Sequence, residues 1–191
     1  MLKATEKQEL RKHLKALRNA KSPAQVSMSS EKIAQYILAC DAYKNAKLIM
    51  GYLAFGKELS VDRVLLQALA DGKRVVVPFI TSPTEMEAAV FTGMENLCLD
   101  RFSIRCVAES AVLVNPADID LLLVPGVAFG RDGSRMGMGA GYYDRFLLRA
   151  PQAITIGVAY DSLLQEHLPM DEYDIPVQYL VSETGIEKLQ I

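Results

Sequence analysis

The sequence has few of the residues on which several large classes of protein depend. It has three cysteines, Cys40, Cys98 and Cys106, without C-x-x-C spacing, so neither a disulfide framework nor a zinc site is indicated. It has two histidines, His13 and His167, and neither has a recognisable serine or cysteine partner, which argues against a nucleophilic triad. This cysteine usage favours a reducing, cytoplasmic location.

Charge and hydropathy argue against two further classes. The chain has 21 Lys and Arg against 23 Asp and Glu, and a net charge of −2 argues against a general nucleic-acid binder. No apolar run is long enough to span a bilayer, and the charged N-terminal segment lacks the apolar core of a secretory signal. We therefore expect a cytoplasmic monomer, with one domain over residues 1–191 and small molecules as its only partners.

Hydrophobic patterns predict strands that alternate with helices. Strands are predicted at five apolar runs: residues 47–54, 74–78, 88–91, 120–124 and 153–159. Helices are predicted at four segments: residues 2–19, a second that Ser29 or Ser30 caps, a third that Ser60 caps, and residues 142–149. The alternation indicates an α/β fold with a mostly parallel sheet.

Two details of this prediction depend on single residues. Leu10, Leu14 and Leu17 are expected to form the apolar stripe of the first helix, with a row of basic residues on another stripe. Pro78 is expected to end the strand that begins at residue 74.

Half of the twelve glycines lie between Gly126 and Gly141, in a stretch that also contains Arg131 and Arg135. We call residues 135–143 the glycine loop. Backbone N–H groups of such a loop, together with guanidinium groups, suit an anion such as phosphate. The loop is neither a Walker A motif nor the dinucleotide fingerprint. It is therefore either a phosphate-binding loop of another kind or a structural crossover that uses glycine for tight turns.

The stretch VPGVAFGRDGSRMGMGAGYYDRFL, residues 124–147, closely resembles the signature of 5-formyltetrahydrofolate cyclo-ligases, also called 5,10-methenyltetrahydrofolate synthetases. Its core, R-x-G-x-G-x-G-Y-Y-D, spans Arg135 to Asp144. Weaker features occur in the expected order: K-x-x-L-R at Lys7 to Arg11, Glu58 after the first strand, and Asp174 in YDIPV. The chain departs from residues common in the family at four positions: Gly130, Met138, Ala140 and Tyr173.

The resemblance implies a small cytoplasmic enzyme of one-carbon metabolism with a three-layer, Rossmann-like α/β fold. It also implies a ligase reaction that uses ATP and Mg²⁺ to convert 5-formyltetrahydrofolate into 5,10-methenyltetrahydrofolate. In that reaction the γ-phosphoryl group of ATP is transferred to the formyl oxygen, which gives an N5-iminophosphate and makes the oxygen a good leaving group.

The family's site residues can be carried over to matching positions. The resemblance implies that ATP is bound by Lys7, Arg11, Arg135, Met136, Gly137, Met138, Gly139, Ala140, Gly141, Tyr142 and Tyr143. It implies that the folate is bound by Leu53, Glu58, Met138, Gly139, Ala140, Gly141 and Tyr142. It implies that Asp144 and Asp174 hold Mg²⁺, and that Arg135 and Tyr142 act in catalysis.

Each assignment has an ordinary structural alternative. Lys7 and Arg11 can be part of a solvated basic face, and Glu58 can be an exposed loop charge. Asp144 can compensate a helix dipole, and Asp174 can be a turn residue before a proline. Two other functions also remain open: a sugar-phosphate isomerase on a related scaffold, and a non-catalytic folate- or nucleotide-binding module.

Overall fold

The chain folds around one large β-sheet with helices on both of its faces. A computed structural model describes the backbone of residues 2–190 and the side chains of residues 6–190. The α-helices are α1 (Leu2–Asn19), α2 (Pro23–Ala39), α3 (Asp41–Asn45), α4 (Asp62–Ala70) and α5 (Tyr142–Leu147). The strands are β1 (Leu48–Met50), β2 (Arg74–Ile80), β3 (Met86–Val90), β4 (Cys98–Leu99), β5 (Arg105–Cys106), β6 (Leu113–Val114), β7 (Leu121–Val124), β8 (Ala128–Phe129), β9 (Arg135–Met136), β10 (Ile154–Val158), β11 (Tyr179–Ser182) and β12 (Gly185–Lys188).

The main sheet has eight strands in the order β12-β11-β10-β7-β1-β2-β3-β6. Neighbouring strands from β11 through β10, β7 and β1 to β2 are parallel. The outer strands β12, β3 and β6 pair in antiparallel fashion. The predicted α/β fold with a mostly parallel sheet is therefore confirmed, and the loops after β1, β7 and β10 meet at one edge of the sheet.

Alternating side chains of the strands build one core on each face of the sheet. Ile49 and Leu121 pack in the core that α2 and α4 cover, while Met50 and Leu122 pack in the core that α5 covers. A strand buried on both faces has a continuous apolar sequence, which explains the unbroken runs seen at β1 and β7. Two helical layers around a sheet give the three-layer architecture.

Helix α1 lies across the carboxyl-terminal edge of the central strands. Among the side chains of α1 that the structure describes, Leu14 is the one fully buried apolar residue, and it packs against Val127, Met136 and Leu168. The expected stripe was wrong at Leu17, whose exposure is 45%, because the inward position at that end of the helix belongs to Arg18, whose exposure is 4%.

Several other element boundaries differ from the predictions: β1 ends at Met50 rather than at residue 54, and the N-cap of α4 is Val61 rather than Ser60. Helix α2 begins seven residues before Ser30, at Pro23, because Ser22 and Gln25 form a capping box that the sequence interpretation missed. Strand β2 continues past Pro78 to Ile80. Pro78 lies beyond Val76, the last residue of β2 that pairs with β1, so that part of the strand has one neighbour and tolerates a missing N–H group.

The segment between β3 and β7 contains a short hairpin formed by β4 and β5. Cys98 and Cys106 face each other across it as free thiols, with 3.2 Å between the two Sγ atoms. Arg105 ties the hairpin to α4 through an ion pair with Asp62 at 2.7 Å. No helix within the described residues has the length and apolar character needed to cross a membrane.

Candidate functional site

The glycine loop leaves the sheet edge through a small hairpin. Strand β7 ends at Val124, β8 and β9 then pair with each other, and the loop runs from β9 into α5. Gly139 and Gly141 have φ angles of +105° and +68°, which residues with a side chain rarely adopt, so these two positions require glycine.

The backbone of this loop presents hydrogen-bond donors. Within the described chain, no residue accepts a hydrogen bond from a backbone N–H group at positions 137–143. Met138 is 53% exposed, and its neighbours Gly139 and Ala140 are also at the surface. A row of accessible, unpaired N–H groups at the end of a strand is a local environment that suits an anion.

The buried side chain of Arg135 connects the glycine loop to α5. Its side chain is 5% exposed, and its Nη2 lies 2.5 Å from Oδ1 of Asp144. The absence of a side chain at Gly137 makes room for the guanidinium, because a Cβ there would lie 2.8 Å from Nη1. The same group lies over the ring of Tyr143, 5.8 Å from its centroid. Arg135 therefore joins the loop to the first turn of α5.

Helix α1 brings two further cations to the loop. Nε of Arg11 donates to the carbonyl oxygen of Gly137 at 2.9 Å. Nζ of Lys7 is largely buried and pairs with Asp171 at 2.7 Å and with Asp174. Burial lowers the pKa of Lys7, but the hydrogen bonds to the two carboxylates raise it by more, so the net shift is upward.

The two predicted metal ligands, Asp144 and Asp174, belong to segments that contact each other. Oδ1 of Asp144 accepts a hydrogen bond from the backbone N–H of Ile175, the residue after Asp174, at 3.4 Å. Among the described residues, no three His, Cys, Asp or Glu side chains form a metal-binding cluster. Two carboxylates nevertheless fit Mg²⁺ that arrives with a nucleotide, because this ion takes its other oxygens from phosphates and water.

A second loop, which we call the Glu58 loop, spans residues 53–59 after β1. Buried tyrosine hydroxyls hold its backbone: Tyr52 donates to the carbonyl of Leu59 at 2.7 Å, and Tyr160 donates to that of Lys57 at 2.9 Å. Oε2 of Glu58 accepts from the N–H of Phe55 at 3.0 Å. The loop is therefore fixed from both sides of its acidic residue.

Glu58 also pairs with a buried arginine from α1. Nη1 of Arg18 lies 3.3 Å from Oε1 of Glu58 and 3.4 Å from the carbonyl oxygen of Gly126. The side chain of Arg18 is 5% exposed and that of Glu58 is 18% exposed. Both residues line a small cavity of about 10 Å³ together with Tyr52 and Tyr160, a volume near that of a single water molecule.

The two adjacent tyrosines of the signature point in different directions. The hydroxyl of Tyr142 donates to the carbonyl of Ser82 at 3.1 Å. The hydroxyl of Tyr143 is buried without a partner among the described residues. Burial raises the pKa of Tyr143, the charge of Glu58 raises it further, and Arg135 lowers it. The hydroxyl of Tyr143 is therefore close enough to Glu58 and Arg135 to be affected by both charges.

Three buried side-chain atoms in the described chain have no hydrogen-bond partner: Nε of Arg18, Nε of Arg135 and the hydroxyl of Tyr143. All three belong to the two loops or to the helix that crosses them. An unpaired buried polar atom costs about 1–3 kcal/mol, so folded proteins keep few of them. Their concentration here indicates that a ligand or water completes the site.

The structure thus brings together most of the residues that the sequence predicted, and it adds others. Leu53 packs at the edge of the core beside the Glu58 loop. Arg18, Asp171 and Tyr160 were missed. The signal for Arg18 was its spacing, since it follows Lys7 by eleven residues and so lies on the same helix face. Asp171 and Tyr160 had no local signal.

Comparisons with known proteins identify the family of the chain. The sequence model of the 5-formyltetrahydrofolate cyclo-ligase family matches residues 3–183. The chain is 30% identical over 175 residues to 5-formyltetrahydrofolate cyclo-ligase of Escherichia coli (strain K12), covering 88% of this chain and 96% of that protein. It is 27% identical over 189 residues to the Mus musculus protein of the same name, covering 93% of each.

Solved structures give the same result for the fold. The NMR structure of Aquifex aeolicus 5,10-methenyltetrahydrofolate synthetase matches with a TM-score of 0.85 and 32% identity, covering 100% of this chain and 94% of that chain. A 5,10-methenyltetrahydrofolate synthetase from Mycoplasma pneumoniae matches with a TM-score of 0.74 and 27% identity, covering 93% of this chain and 98% of that chain.

Proposed function

The chain belongs to the 5-formyltetrahydrofolate cyclo-ligase family, and from this premise we propose that it uses ATP and Mg²⁺ to convert 5-formyltetrahydrofolate into 5,10-methenyltetrahydrofolate. The observation that carries the proposal is the row of unpaired N–H groups at positions 137–143, next to three cationic side chains: Lys7, Arg11 and Arg135. This combination suits the polyphosphate of a nucleotide.

The reaction needs an activated formyl oxygen. The formyl oxygen attacks the γ-phosphorus of ATP, ADP leaves, and the product is an N5-iminophosphate. N10 of the folate then attacks the formyl carbon and loses its proton, the carbon–oxygen bond breaks, and inorganic phosphate leaves. The protein contributes mainly positioning and charge stabilisation, because phosphoryl transfer leaves little covalent work for side chains.

The cations assigned to ATP are paired with the carboxylates assigned to the metal. Arg135 pairs with Asp144, and Lys7 pairs with Asp174. When the phosphates enter, the two cations turn to phosphate oxygens, and both carboxylates become available to a divalent ion. These ion pairs therefore hold the four side chains in place before the nucleotide binds.

Asp144 and Asp174 would hold Mg²⁺, which supplies neutralisation of phosphate charge during transfer. Tyr142 is held by its hydrogen bond to Ser82, so its ring, rather than its hydroxyl, is available to the substrates. Once it has turned from Asp144 to the phosphates, Arg135 stabilises charge that develops on the transferred group.

The folate is assigned to the space beside Leu53, the Glu58 loop and the outer wall of the glycine loop. A carboxylate accepts hydrogen bonds from the N–H groups of a pterin, and Glu58 is fixed for this by its two neighbours, Phe55 and Arg18.

The test is a spectrophotometric assay of 5,10-methenyltetrahydrofolate formation, with ATP and Mg²⁺ supplied together and omitted one at a time. We expect turnover that requires both. Binding of the folate or nucleotide without turnover would instead support a non-catalytic module. Isomerisation of a sugar phosphate without ATP or Mg²⁺ would support the isomerase alternative.

The metal assignment has its own test. Asp144→Asn removes a charged ligand and should raise the Mg²⁺ concentration for half-maximal rate about tenfold or more, as loss of a charge-assisted contact does. Asp132→Asn is the control, since Asp132 lies in the same stretch of chain but hydrogen-bonds to Ser134 and His167. An Asp144→Asn enzyme with the wild-type Mg²⁺ dependence would disprove the assignment.

A further inference from the structure

Arg18 is a charged residue that is buried on the inward side of α1, where an apolar residue is usual. It is 4% exposed, and it lies at the opposite end of that side from Lys7. Arginine is almost never buried unless a partner compensates its charge. The partner is Glu58, at 3.3 Å, and the pair lies under the Glu58 loop.

The contacts of Arg18 show that it does not serve packing alone. Nη1 makes both of its hydrogen bonds, to Glu58 and to the carbonyl of Gly126, while Nε is buried without a partner in the described chain. A buried pair of this kind is often no more stable than apolar residues of the same size. A donor left unpaired makes it less favourable still. Stability therefore does not explain the arrangement.

Two hydrogen bonds restrict where the carboxylate of Glu58 lies. Phe55 donates to Oε2 at 3.0 Å, and Arg18 donates to Oε1, so each oxygen has one fixed donor. Tyr52 and Tyr160 hold the backbone on either side of it. Each carboxylate oxygen has a second lone pair that remains for a ligand.

We propose that Arg18 is a positioning residue: it orients the carboxylate of Glu58 toward the N–H groups of the folate ring. This rests on the proposed function, because it assigns Arg18 to the folate side of the same site. Arg18 and Lys7 also belong to one helix, so α1 sets the distance between the folate carboxylate and the phosphate-binding cation.

The experiment compares Arg18→Met, Arg18→Lys, Glu58→Gln and the Arg18→Met/Glu58→Gln double variant. We expect Arg18→Met to raise the KM for 5-formyltetrahydrofolate about tenfold or more, as removal of a hydrogen bond to a charged group does. The KM for ATP should stay within about twofold, because the phosphate contacts are at the other end of α1. Lys12→Met, which removes an exposed charge from the same helix, is the control.

Two further results separate positioning from a structural role. Arg18→Lys keeps the charge and should recover at least half of the loss on a logarithmic scale. In the Glu58→Gln background, Arg18→Met should add little, because both changes remove the same interaction. A melting curve for each variant identifies any that is not folded, and the Arg18→Lys result then carries the test.

The outcomes are distinct for the two proposals. If the wild-type protein forms no 5,10-methenyltetrahydrofolate with ATP and Mg²⁺, the proposed function fails and the role of Arg18 fails with it. If the wild-type protein is active and Arg18→Met and Arg18→Lys leave the folate KM unchanged, only the role of Arg18 is overturned. Equal increases in the KM for folate and for ATP would also overturn it.

Discussion

The two loops of the candidate site differ in what they are made of. The glycine loop presents main-chain N–H groups from one continuous stretch, and two of the cations beside it, Lys7 and Arg135, are paired with carboxylates. The Glu58 loop presents one carboxylate that is fixed by an arginine and two tyrosines from distant parts of the chain. The first loop suits a highly charged, flexible group, and the second suits a rigid ring with few polar atoms.

The largest effect should come from the charge beneath the glycine loop. Arg135→Met removes the guanidinium that the proposal uses during phosphoryl transfer, and we expect kcat to fall about 10²- to 10³-fold. The assay is the rate of methenyl product formation at saturating substrates. Arg131→Met is the matched control, because Arg131 lies four residues earlier and its side chain is 48% exposed. Equal losses of kcat in both variants would show that Arg135 contributes no more to the reaction than an exposed arginine does.

The Glu58 loop is tested by a change that keeps shape and removes charge. Glu58→Gln should raise the KM for the folate about tenfold, because a neutral amide accepts weaker hydrogen bonds from N–H groups. The KM for ATP should change by less than about twofold if the two loops are independent. Glu31→Gln, at an exposed ion pair with Arg63, is the control. A larger effect on ATP than on folate would reverse the assignment of the two loops.

A comparison of Gly141 with Gly72 separates the effect of the glycine-loop shape on activity from the strain that alanine causes at any position with a positive φ. Gly141 and Gly72 both have positive φ, +68° and +75°, so alanine costs about 1 kcal/mol of stability at either position. A Cβ at Gly141 would lie 2.7 Å from Nη1 of Arg145, whereas nothing lies within 4 Å of one at Gly72. We expect Gly141→Ala to lower kcat/KM for ATP about fivefold to tenfold and Gly72→Ala to leave it unchanged. Similar kinetics for both variants would show that the loop does not need its shape.

The smallest expected effect concerns pH. The pKa of Lys7 is raised above its ordinary value, so its ammonium form is fully present below about pH 10 and is lost only at higher pH. The ratio of the ATP KM of Lys7→Met to that of the wild type should therefore be constant between about pH 7 and pH 9. Steady-state kinetics at several pH values measure it. A ratio that falls toward one in this range would mean that Lys7 loses its proton there.

The contrast between the loops also explains which parts could be predicted from the sequence. The glycine loop could be predicted from the sequence because the residues of its motif are consecutive, from Arg135 to Asp144. The central strands were readable because burial on both faces requires continuous apolar runs such as those of β1 and β7. The fold class followed from their alternation with helices.

The residues that contact Glu58 and its loop could not be predicted in this way. Arg18, Tyr52 and Tyr160 come from three separate elements and meet only when the sheet is assembled. Arg18 was also hidden by a rule that is usually correct, since a charged residue is expected on the outer face of an amphipathic helix. The site assignments themselves, including the catalytic role of Tyr142, stay predictions until the variants are measured.

Helix α1 holds both loops together, yet it is attached to the rest of the protein mainly by charged contacts. Leu14 is its one fully buried apolar residue among those described, Leu10 packs beside it, and the other inward contacts are those of Lys7, Arg11 and Arg18. A helix that buries so few apolar side chains has a lower local stability than the strands of the core. In hydrogen exchange, α1 should therefore open before the sheet does, and mild denaturant should abolish activity at concentrations that leave the sheet folded.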